Sequence, residues 1–567
     1  MFDTFPSTAQ DAQDWLWPDY APFAESLRKM DLNEANLNSF MNDWTRFGKM
    51  IWEVYARNNV ATTIDTTDEA AEKRYLRFMS EVYPEVMKLN NDLNQKLVAS
   101  GLTPANFEVP MRAIRSEIEL FRDKNLPLMT ELQELSLQYD KISGAQSVEW
   151  NGEERTLAKM KLVQLNKERD VREKAWRSTA IRTLQDRESL NDLWQKLLTL
   201  RTEIARNADK ANYREYAWQE RGRFDYSPED AQSFFHAIEE VVVPAAERLY
   251  ERKRKALGVE TLRPWDLEVE TSEASALHPF EKADELIAVT STIFNKIDPQ
   301  LGAYFDTMRD ENLLDLDNRK GKAPGGYCTD FPVVERPFIF MNAVGLHDDV
   351  QTMLHESGHA FHAFECMKLD YVQQMDIPME FAEVASMSME LIAAPYLEKS
   401  EGGFYDEADA ARARIEHLEG LIRFWPYMAV VSSFQHWVYT HEGDAIDPQQ
   451  CDAKWAELWS LFMKGIDWTG LEDWVNTGWH RKLHIFHLPF YYIEYGLAQL
   501  GAVQIWANSL KDHRQALEAY IAALQLGNTA TLPQLFETAG AKFAFDSETL
   551  GTAVDLIERT IEELEAV

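Results

Sequence analysis

Along most of the chain, apolar residues recur every three or four positions, and charged residues fill the faces between them. This spacing is typical of amphipathic α-helices. Residues 69–99 and 158–220 are clear examples, and proline and glycine are largely confined to the short connections between such segments. The pattern predicts a mainly helical, all-α protein.

One interruption of the helical pattern lies at residues 145–157. Val148 and Trp150 alternate there with polar residues, and Asn151-Gly152 follows. An Asn-Gly pair between extended segments is a strong signal for a hairpin turn. We therefore expect a small β-hairpin at the end of an N-terminal helical region.

The second interruption is the glycine- and proline-rich loop GKAPGGYCTDFP, followed by the apolar run 337–342. This run predicts a short strand in a small β-sheet, set beside the helix that follows it in the sequence. The loop lacks the Gly-Lys-Ser/Thr ending of a phosphate-binding loop. Composition leaves open whether it lines a substrate site, in which case Gly325, Gly326 and Tyr327 would contact the substrate, or lies on the plain surface.

Composition narrows the class of protein. The 567 residues are 45% hydrophobic and 27% charged, which is ordinary for a globular protein with a large core. The formal net charge of −36 argues against nucleic acid or an anionic membrane surface as a partner. The three cysteines form no C-x-x-C pair. With no secretory signal at the start and no apolar run of about 18 residues, we expect a cytoplasmic protein.

The segment His355-Glu356-Ser357-Gly358-His359 has the form H-E-x-x-H. On a helix, residues four apart lie on one face, so the two imidazoles can hold one Zn²⁺ and the adjacent glutamate can reach its water. Asp348 or Asp349 would cap this helix. The competing interpretation is a helix with two histidines that are only buried or solvated.

A third metal ligand is predicted downstream, in the helical run 378–390. Glu380, Glu383 and Glu390 fall on one face of a helix that is otherwise rich in Ala, Met, Val and Phe. Buried carboxylates are costly unless they are paired or bind a metal. Glu383 is the preferred ligand, and Glu380 and Glu390 are expected to hydrogen-bond the ligand imidazoles. The alternative is a solvated acidic stripe.

A third cluster contains His480, His484 and His487, followed by several tyrosines. We interpret this cluster as a source of hydrogen-bond donors for the oxyanion of a tetrahedral intermediate. Tyr492 and Tyr495 are one helical turn apart and would face the same way. Spacing alone favours core tyrosines beside a satisfied histidine, and the histidine spacings of four and three also allow a second metal.

Taken together, these segments resemble the thimet oligopeptidase family of metallopeptidases, in particular its bacterial oligoendopeptidase F and Pz-peptidase branch. The segments that carry the resemblance are KISGAQSVEWNGEE (141–154), PGGYC (324–328), HESGHAFH (355–362), PMEFAEVASMSMEL (378–391) and HLPFYYIEYGLAQL (487–500).

The resemblance implies an elongated, two-part helical molecule with a deep substrate channel and one Zn²⁺ per chain on the channel floor. It divides the chain into an N-terminal helical region, 1–190, and a zinc-peptidase domain, 191–567. The implied activity is endopeptidase cleavage of short peptides by a monomer, with the strand at 338–342 pairing with the extended substrate.

The same resemblance implies roles for individual residues. His355, His359 and Glu383 match the zinc ligands, and Glu356 matches the general base. A second set is expected to assist the transition state or contact the substrate: His487, Tyr492 and Tyr495, with Tyr491 able to replace one of the two tyrosines because their spacing from His487 is short.

Three alternatives are weighed at this point. A zinc carboxypeptidase or dipeptidase of related helical fold would need a cationic or amide group for the terminal carboxylate of its substrate, and no unmistakable candidate stands out in the sequence. A non-catalytic peptide-binding protein is disfavoured by the intact Glu356. A purely structural scaffold would leave the acidic face of 380–390 unexplained.

Overall fold

A computed structural model describes residues 2–271 and 277–566. Helices dominate it, which confirms the predicted fold class. The α-helices of these ranges are α1 (Trp17–Lys29), α2 (Leu37–Ile64), α3 (Glu69–Arg77), α4 (Tyr83–Ser100), α5 (Glu108–Leu120), α6 (Leu126–Gly144), α7 (Leu157–Gln164), α8 (Arg169–Leu184), α9 (Arg187–Asn207), α10 (Tyr213–Glu220), α11 (Pro228–Ala237), α12 (Val243–Leu257), α13 (Ala283–Ile297), α14 (Pro299–Asp310), α15 (His347–Cys366), α16 (Met379–Ala393), α17 (Glu407–Val438), α18 (Glu442–Ala445), α19 (Pro448–Phe462), α20 (Glu472–Asn476), α21 (Leu483–His487), α22 (Tyr492–Ser509), α23 (His513–Leu524), α24 (Leu532–Thr538) and α25 (Ser547–Glu565).

The first sheet is the predicted hairpin. Strands β1 (Ser147–Trp150) and β2 (Glu153–Thr156) pair antiparallel. Asn151 and Gly152 form the turn with φ of 53° and 83°. Positive φ at both central residues is what a two-residue hairpin turn requires, and Asn-Gly tolerates it.

The second sheet contains β3 (Leu314–Asp317), β4 (Tyr327–Phe331) and β5 (Arg336–Ala343), in the order β3-β5-β4. It lies beside α15, as predicted. β5 is central, parallel to β3 and antiparallel to β4. Because both of its edges are paired, the prediction that the strand at 338–342 pairs with substrate is wrong. The two edge strands of the sheet are β3 and β4.

Apolar side chains form one large core and a separate core among the first helices. The separate core gathers side chains from Phe2 to Ile114, together with Tyr371. The large core begins with Leu120 and extends to Ile561. Along the chain, the change from one core to the other falls between Ile114 and Leu120. The predicted domain boundary at 190 stays a prediction.

Helix α16 is buried on all sides, as its composition predicts. It packs between α15 and α22, and Gly501 of α22 makes the approach close. A Cβ on Gly501 would lie 3.0 Å from Val384 Cγ2 and 2.7 Å from a ring carbon of Phe536. The carboxylates on this helix therefore lie in the interior of the molecule.

No helix within residues 2–271 and 277–566 combines the length and apolar character that crossing a membrane requires.

Candidate metal centre

Close packing of α15 against α16 brings the predicted ligands together. Gly358 is the point of closest approach, since a Cβ there would lie 2.5 Å from Ser386 Cα and 2.6 Å from Ala385 O. The start of α15 differs from the prediction in detail. Asp349 is not the residue that precedes the helix but lies in its first turn. Its carboxylate accepts hydrogen bonds from the backbone N–H groups of residues 344, 345 and 346.

His355, His359 and Glu383 offer three ligand atoms within 4.8 Å of one another. Glu383 Oε2 lies 3.4 Å from His355 Nε2 and 3.7 Å from His359 Nε2. A tetrahedral Zn²⁺ with bonds of about 2.0–2.1 Å would separate its ligand atoms by roughly 3.4 Å. The three side chains therefore fit a zinc ion.

The protonation states of His359 and Glu383 suit a metal. Burial lowers the pKa of His359 to about 4, so its imidazole is neutral at pH 7 and can donate a lone pair. Burial opposes ionisation of Glu383, but the hydrogen bond from His355 and its positive charge outweigh burial and lower the pKa of this carboxyl. Glu383 is thus a carboxylate. Burial also opposes the charge on His355, but its bonds to Glu383 and Glu390 raise the pKa of this histidine, and a metal ion would replace the proton on its Nε2.

Glu390 orients His355 by a hydrogen bond to the ring nitrogen that does not face Glu383. Its Oε1 lies 2.6 Å from His355 Nδ1, and its Oε2 lies 2.8 Å from His417 Nε2. With Nδ1 engaged by a carboxylate, Nε2 of His355 is the atom left for a metal. Although burial opposes it, bonding to the two histidines lowers the pKa of Glu390 to about 2. Sequence reasoning missed His417, because no motif places it near this glutamate.

Glu380 does not hydrogen-bond a ligand imidazole, contrary to the prediction. Its Oε1 accepts a hydrogen bond of 2.8 Å from the Tyr226 hydroxyl and lies 3.5 Å from Arg223 Nε. One helical turn therefore separates a carboxylate of the metal site from one that belongs to a different buried network.

Glu356 lies between the motif helix and the small sheet. Burial is the main reason that its pKa rises to about 7, and a hydrogen bond from the backbone N–H of Cys328 opposes the rise. Cys328 lies on β4, so the carboxylate is next to an edge strand of the sheet. A carboxyl with a pKa near neutral pH, close to a metal site, is suited to proton transfer.

The loop residues predicted to contact substrate precede and begin β4. Gly325 has φ of 97°, and its carbonyl accepts a hydrogen bond of 3.0 Å from Asn342 Nδ2. A Cβ on Gly326 would lie 3.4 Å from Phe340 O and 3.4 Å from Thr352 Cγ2. Tyr327 directs its hydroxyl to Thr63 on α2, 2.5 Å away, so this hydroxyl already has a partner within the chain.

Among the tyrosines, Tyr491 makes the contact with the metal site. Its hydroxyl lies 3.2 Å from Glu383 Oε1, and its ring lies 5.2 Å from that of Tyr495. Tyr492 instead packs against Phe424 and Tyr427. The pair of tyrosines at the site is therefore Tyr491 and Tyr495.

The histidine among these tyrosines is His484. Its ring lies 4.9–6.1 Å from those of Tyr491, Tyr492 and Tyr495. His487 faces α6, where its Nε2 lies 3.1 Å from Asp140 Oδ1. Sequence spacing could not separate the two, since both precede the tyrosines by less than a dozen residues.

Three arginines hold this irregular stretch, residues 484–495, which we call the tyrosine segment. Arg201 donates to the carbonyls of Ile485 and Phe486. Arg221 donates to Pro489 O at 2.8 Å, and Arg223 to Phe490 O at 2.6 Å.

The backbone held by these arginines is unusual. Phe490 has φ of 66°, a left-handed conformation that is rare for a bulky residue. Its N–H donates to Gln435 Oε1, and its carbonyl accepts from Arg223. Arg223 is also paired with Glu494 at 2.7 Å. The surrounding side chains therefore impose the turn that directs Tyr491 to Glu383.

Comparisons with known proteins agree with this geometry. The model of Peptidase family M3 matches residues 162–553. Oligopeptidase PepF of Bacillus subtilis is 23% identical over 271 residues, 47% of this chain and 39% of that protein. An oligoendopeptidase F homolog of Lactococcus lactis subsp. lactis is 24% identical over 387 residues, 65% of this chain and 60% of that protein.

The matched segments thus span less than two thirds of these two curated relatives. Among solved structures, Pz peptidase A with an inhibitor superposes with a TM-score of 0.87 at 26% identity, covering 100% of this chain and 99% of the other.

Proposed function

The chain belongs to peptidase family M3, and on this premise we propose that it is a zinc-dependent endopeptidase that hydrolyses internal bonds of short peptides. One observation carries the proposal. His355, His359 and Glu383 converge with the spacing of a tetrahedral zinc site, and Glu356 follows the first of them directly. Two histidines and one carboxylate leave a coordination position open, as in catalytic rather than structural zinc sites.

The bound Zn²⁺ would polarise the peptide carbonyl and lower the pKa of a water molecule. Glu356 is placed to take the proton of that water on its carboxylate and to deliver it to the departing amine. Its elevated pKa supports both steps, because the carboxyl exchanges a proton near neutral pH. The N–H of Cys328 keeps the carboxylate in place.

We assign the oxyanion donors to Tyr491 and Tyr495, with His484 beside them. The Tyr491 hydroxyl is already within 3.2 Å of a metal ligand, so a carbonyl oxygen at the metal would lie within its reach. A hydroxyl placed where negative charge develops stabilises the transition state more than the ground state. His487, turned towards Asp140, has a structural role in this proposal.

Substrate backbone would pair with the open edge of β4 rather than with β5. This edge lies next to Glu356, and backbone hydrogen bonds bind extended peptides with little sequence preference. The backbone of Gly325 and Gly326 would continue this surface. Such binding suits a peptidase that accepts many short peptides.

The remaining assignments are proposals of the same kind. Cys328, Cys366 and Cys451 are free thiols, which suits a reducing compartment, and we place the enzyme in the cytoplasm as a monomer with one Zn²⁺ per chain. The deep channel implied by the family resemblance would exclude folded proteins.

The test combines Glu356→Gln with peptides blocked at both ends. Wild type loaded with zinc should cleave a blocked, internally quenched peptide of about ten residues, and a chelator should abolish cleavage. Glu356→Gln should retain about one zinc per chain but lose 10²–10⁴-fold or more in kcat.

Three results would contradict parts of this proposal. Cleavage only of peptides with free ends would identify an exopeptidase. Unchanged activity of Glu356→Gln would remove the general base. A zinc-loaded protein that binds peptides without cleaving them would be a peptide-binding protein.

A further inference from the structure

Lys482 is a half-buried cation without an anionic partner. Among the residues that the structure describes, no carboxylate and no hydrogen-bond acceptor is bonded to its Nζ. The ammonium group faces two aromatic rings instead, 3.8 Å from the ring centre of Tyr492 and 5.4 Å from that of Tyr427. Burial lowers the pKa of Lys482 to about 8, so the group is mostly charged at pH 7.

Arg481, the cation that precedes Lys482, has partners within the chain. Arg481 donates to Trp474 O at 2.6 Å and stacks on the Trp474 ring at 3.7 Å. Its partners within the chain account for its position. Lys482 has only the aromatic faces, which offset part of the cost of a partly desolvated ammonium and leave its three N–H donors to solvent or to a ligand.

The missing partner is notable because acids are abundant. The chain has 94 acidic and 58 basic residues, so a carboxylate is the commonest partner available to a lysine. A partly desolvated cation without a carboxylate partner, close to a candidate active site, is a candidate for binding an anionic ligand. The chemistry that compensates an ammonium group is a carboxylate.

A series of ring contacts connects Lys482 to the metal ligands. The aromatic platform of this lysine, Tyr492, is 4.9 Å from the His484 ring, which is 5.7 Å from that of Tyr491. Tyr491 in turn reaches Glu383. The path from Lys482 Nζ through the rings of Tyr492 and His484 to that of Tyr491 is no longer than about four extended residues of a peptide.

We propose that Lys482 binds the C-terminal carboxylate of the peptide substrate. This inference rests on the proposed peptidase function and specifies its substrate class. The cation fixes the carboxyl end of a short peptide, so that cleavage falls within a few residues of that end. It is the terminal-carboxylate group that the sequence alone did not reveal.

The experiment compares two internally quenched peptides that differ only in a C-terminal carboxylate or carboxamide. Zinc-loaded wild type should cleave the carboxylate form with a KM roughly tenfold to a hundredfold lower, as expected for a charge-assisted hydrogen bond. Lys482→Met should lose this preference by raising the KM of the carboxylate peptide. Lys482→Arg should retain part of it.

Lys464→Met, a change at an exposed lysine, is the control and should keep the full preference. A third peptide, amidated but ending in glutamate, distinguishes an α-carboxylate from a side-chain carboxylate. Lengthening the peptide at its C-terminus should move the cleavage site by the same number of residues.

Equal KM values for both peptides with wild type would overturn the proposal, whatever the variants do. So would an undiminished preference in Lys482→Met. If zinc-loaded wild type cleaved neither peptide, the proposed peptidase function itself would fail, which is a different result.

Discussion

A hydrogen bond from Tyr491 to Glu383 joins the tyrosine segment to the metal residues, yet different forces position the two regions. His355, His359 and Glu383 lie on two long helices that pack backbone to backbone at Gly358. The tyrosine segment runs from the short helix α21 into the first turn of α22, and arginine side chains bind its carbonyls. The first region depends on helix packing, and the second on side chains that precede it by more than 260 residues.

This difference predicts that each half of the site can be damaged without the other. Breaking the arginine contacts should disturb the tyrosines and leave zinc affinity intact. Disturbing α15 and α16 should remove the metal and leave the tyrosine segment folded. Substitutions made in one region at a time can therefore break or sharpen the contrast between them.

The largest effect is expected from Arg223→Met. The substitution leaves Glu494 buried with its closest cation removed and frees Phe490 O. Removing one partner of a buried ion pair costs about 3–5 kcal/mol in the free energy of unfolding. Urea unfolding should show this loss, while folded protein still binds zinc with wild-type affinity.

Arg248→Met is the matched control, because Arg248 pairs with Glu558 at the surface and its side chain is 56% exposed. Its loss should be about 1 kcal/mol or less. If Arg223→Met and Arg248→Met were equally stable, Arg223 would not hold the segment.

Tyr491→Phe should have the next largest effect, on catalysis alone. Loss of one oxyanion donor lowers kcat by about 10²–10³-fold. Zinc content and the urea midpoint should stay close to those of wild type. Tyr492→Phe, a change in the neighbouring ring that packs against Phe424, should change kcat by less than about threefold. The reverse ranking would return the catalytic role to Tyr492.

Gly358→Ala should separate the two ligand helices. The added Cβ meets backbone atoms of α16, which cannot move aside as a flexible side chain would. We expect a loss of about 1–3 kcal/mol in stability together with weaker zinc binding. Gly420→Ala makes the same change on α17, where a Cβ has no neighbour within 4 Å. There alanine should stabilise the helix by about 0.5–1 kcal/mol.

Glu390→Gln weakens the support of His355 without removing a ligand. Loss of such a partner typically lowers metal affinity by about 10–100-fold. Competition with a chromophoric chelator would measure it. Glu380→Gln, the same change on the same helix, should leave zinc affinity unchanged, because Glu380 bonds Tyr226. Equal effects of the two substitutions would show that neither acts through His355.

The two regions also differ in how far their sequence predicts them. In a helix, spacing fixes direction, so the spacing within H-E-x-x-H and along the acidic face of α16 is enough to indicate a metal site. The tyrosine segment offers no such rule. Phe490 adopts a left-handed conformation that its residue type does not indicate, and this turn decides that Tyr491 rather than Tyr492 reaches Glu383.

The same limit applies to the sheet. The apolar run at 337–342 predicts a strand correctly, but strand order depends on pairings between distant segments. That β5 is central and that β3 and β4 are the edge strands follows only from the three-dimensional arrangement.

The smallest effect we predict is the pH dependence of cleavage. Glu356 accepts a proton only as a carboxylate, and burial raises its pKa to about 7. kcat/KM should therefore reach its maximum above this pKa and fall about tenfold per pH unit below it. A bound cation favours the carboxylate, so the midpoint should lie at or below 7.

Zinc content measured at each pH separates this effect from loss of the metal. The pKa of His359 is about 4, so the ligand stays neutral while Glu356 takes up its proton. Activity that is flat from about pH 5 to pH 7, or that declines only in step with zinc content, would contradict Glu356 as the base. If kcat/KM declines at low pH while the zinc content stays complete, proton transfer and metal binding depend on different groups of the same helix.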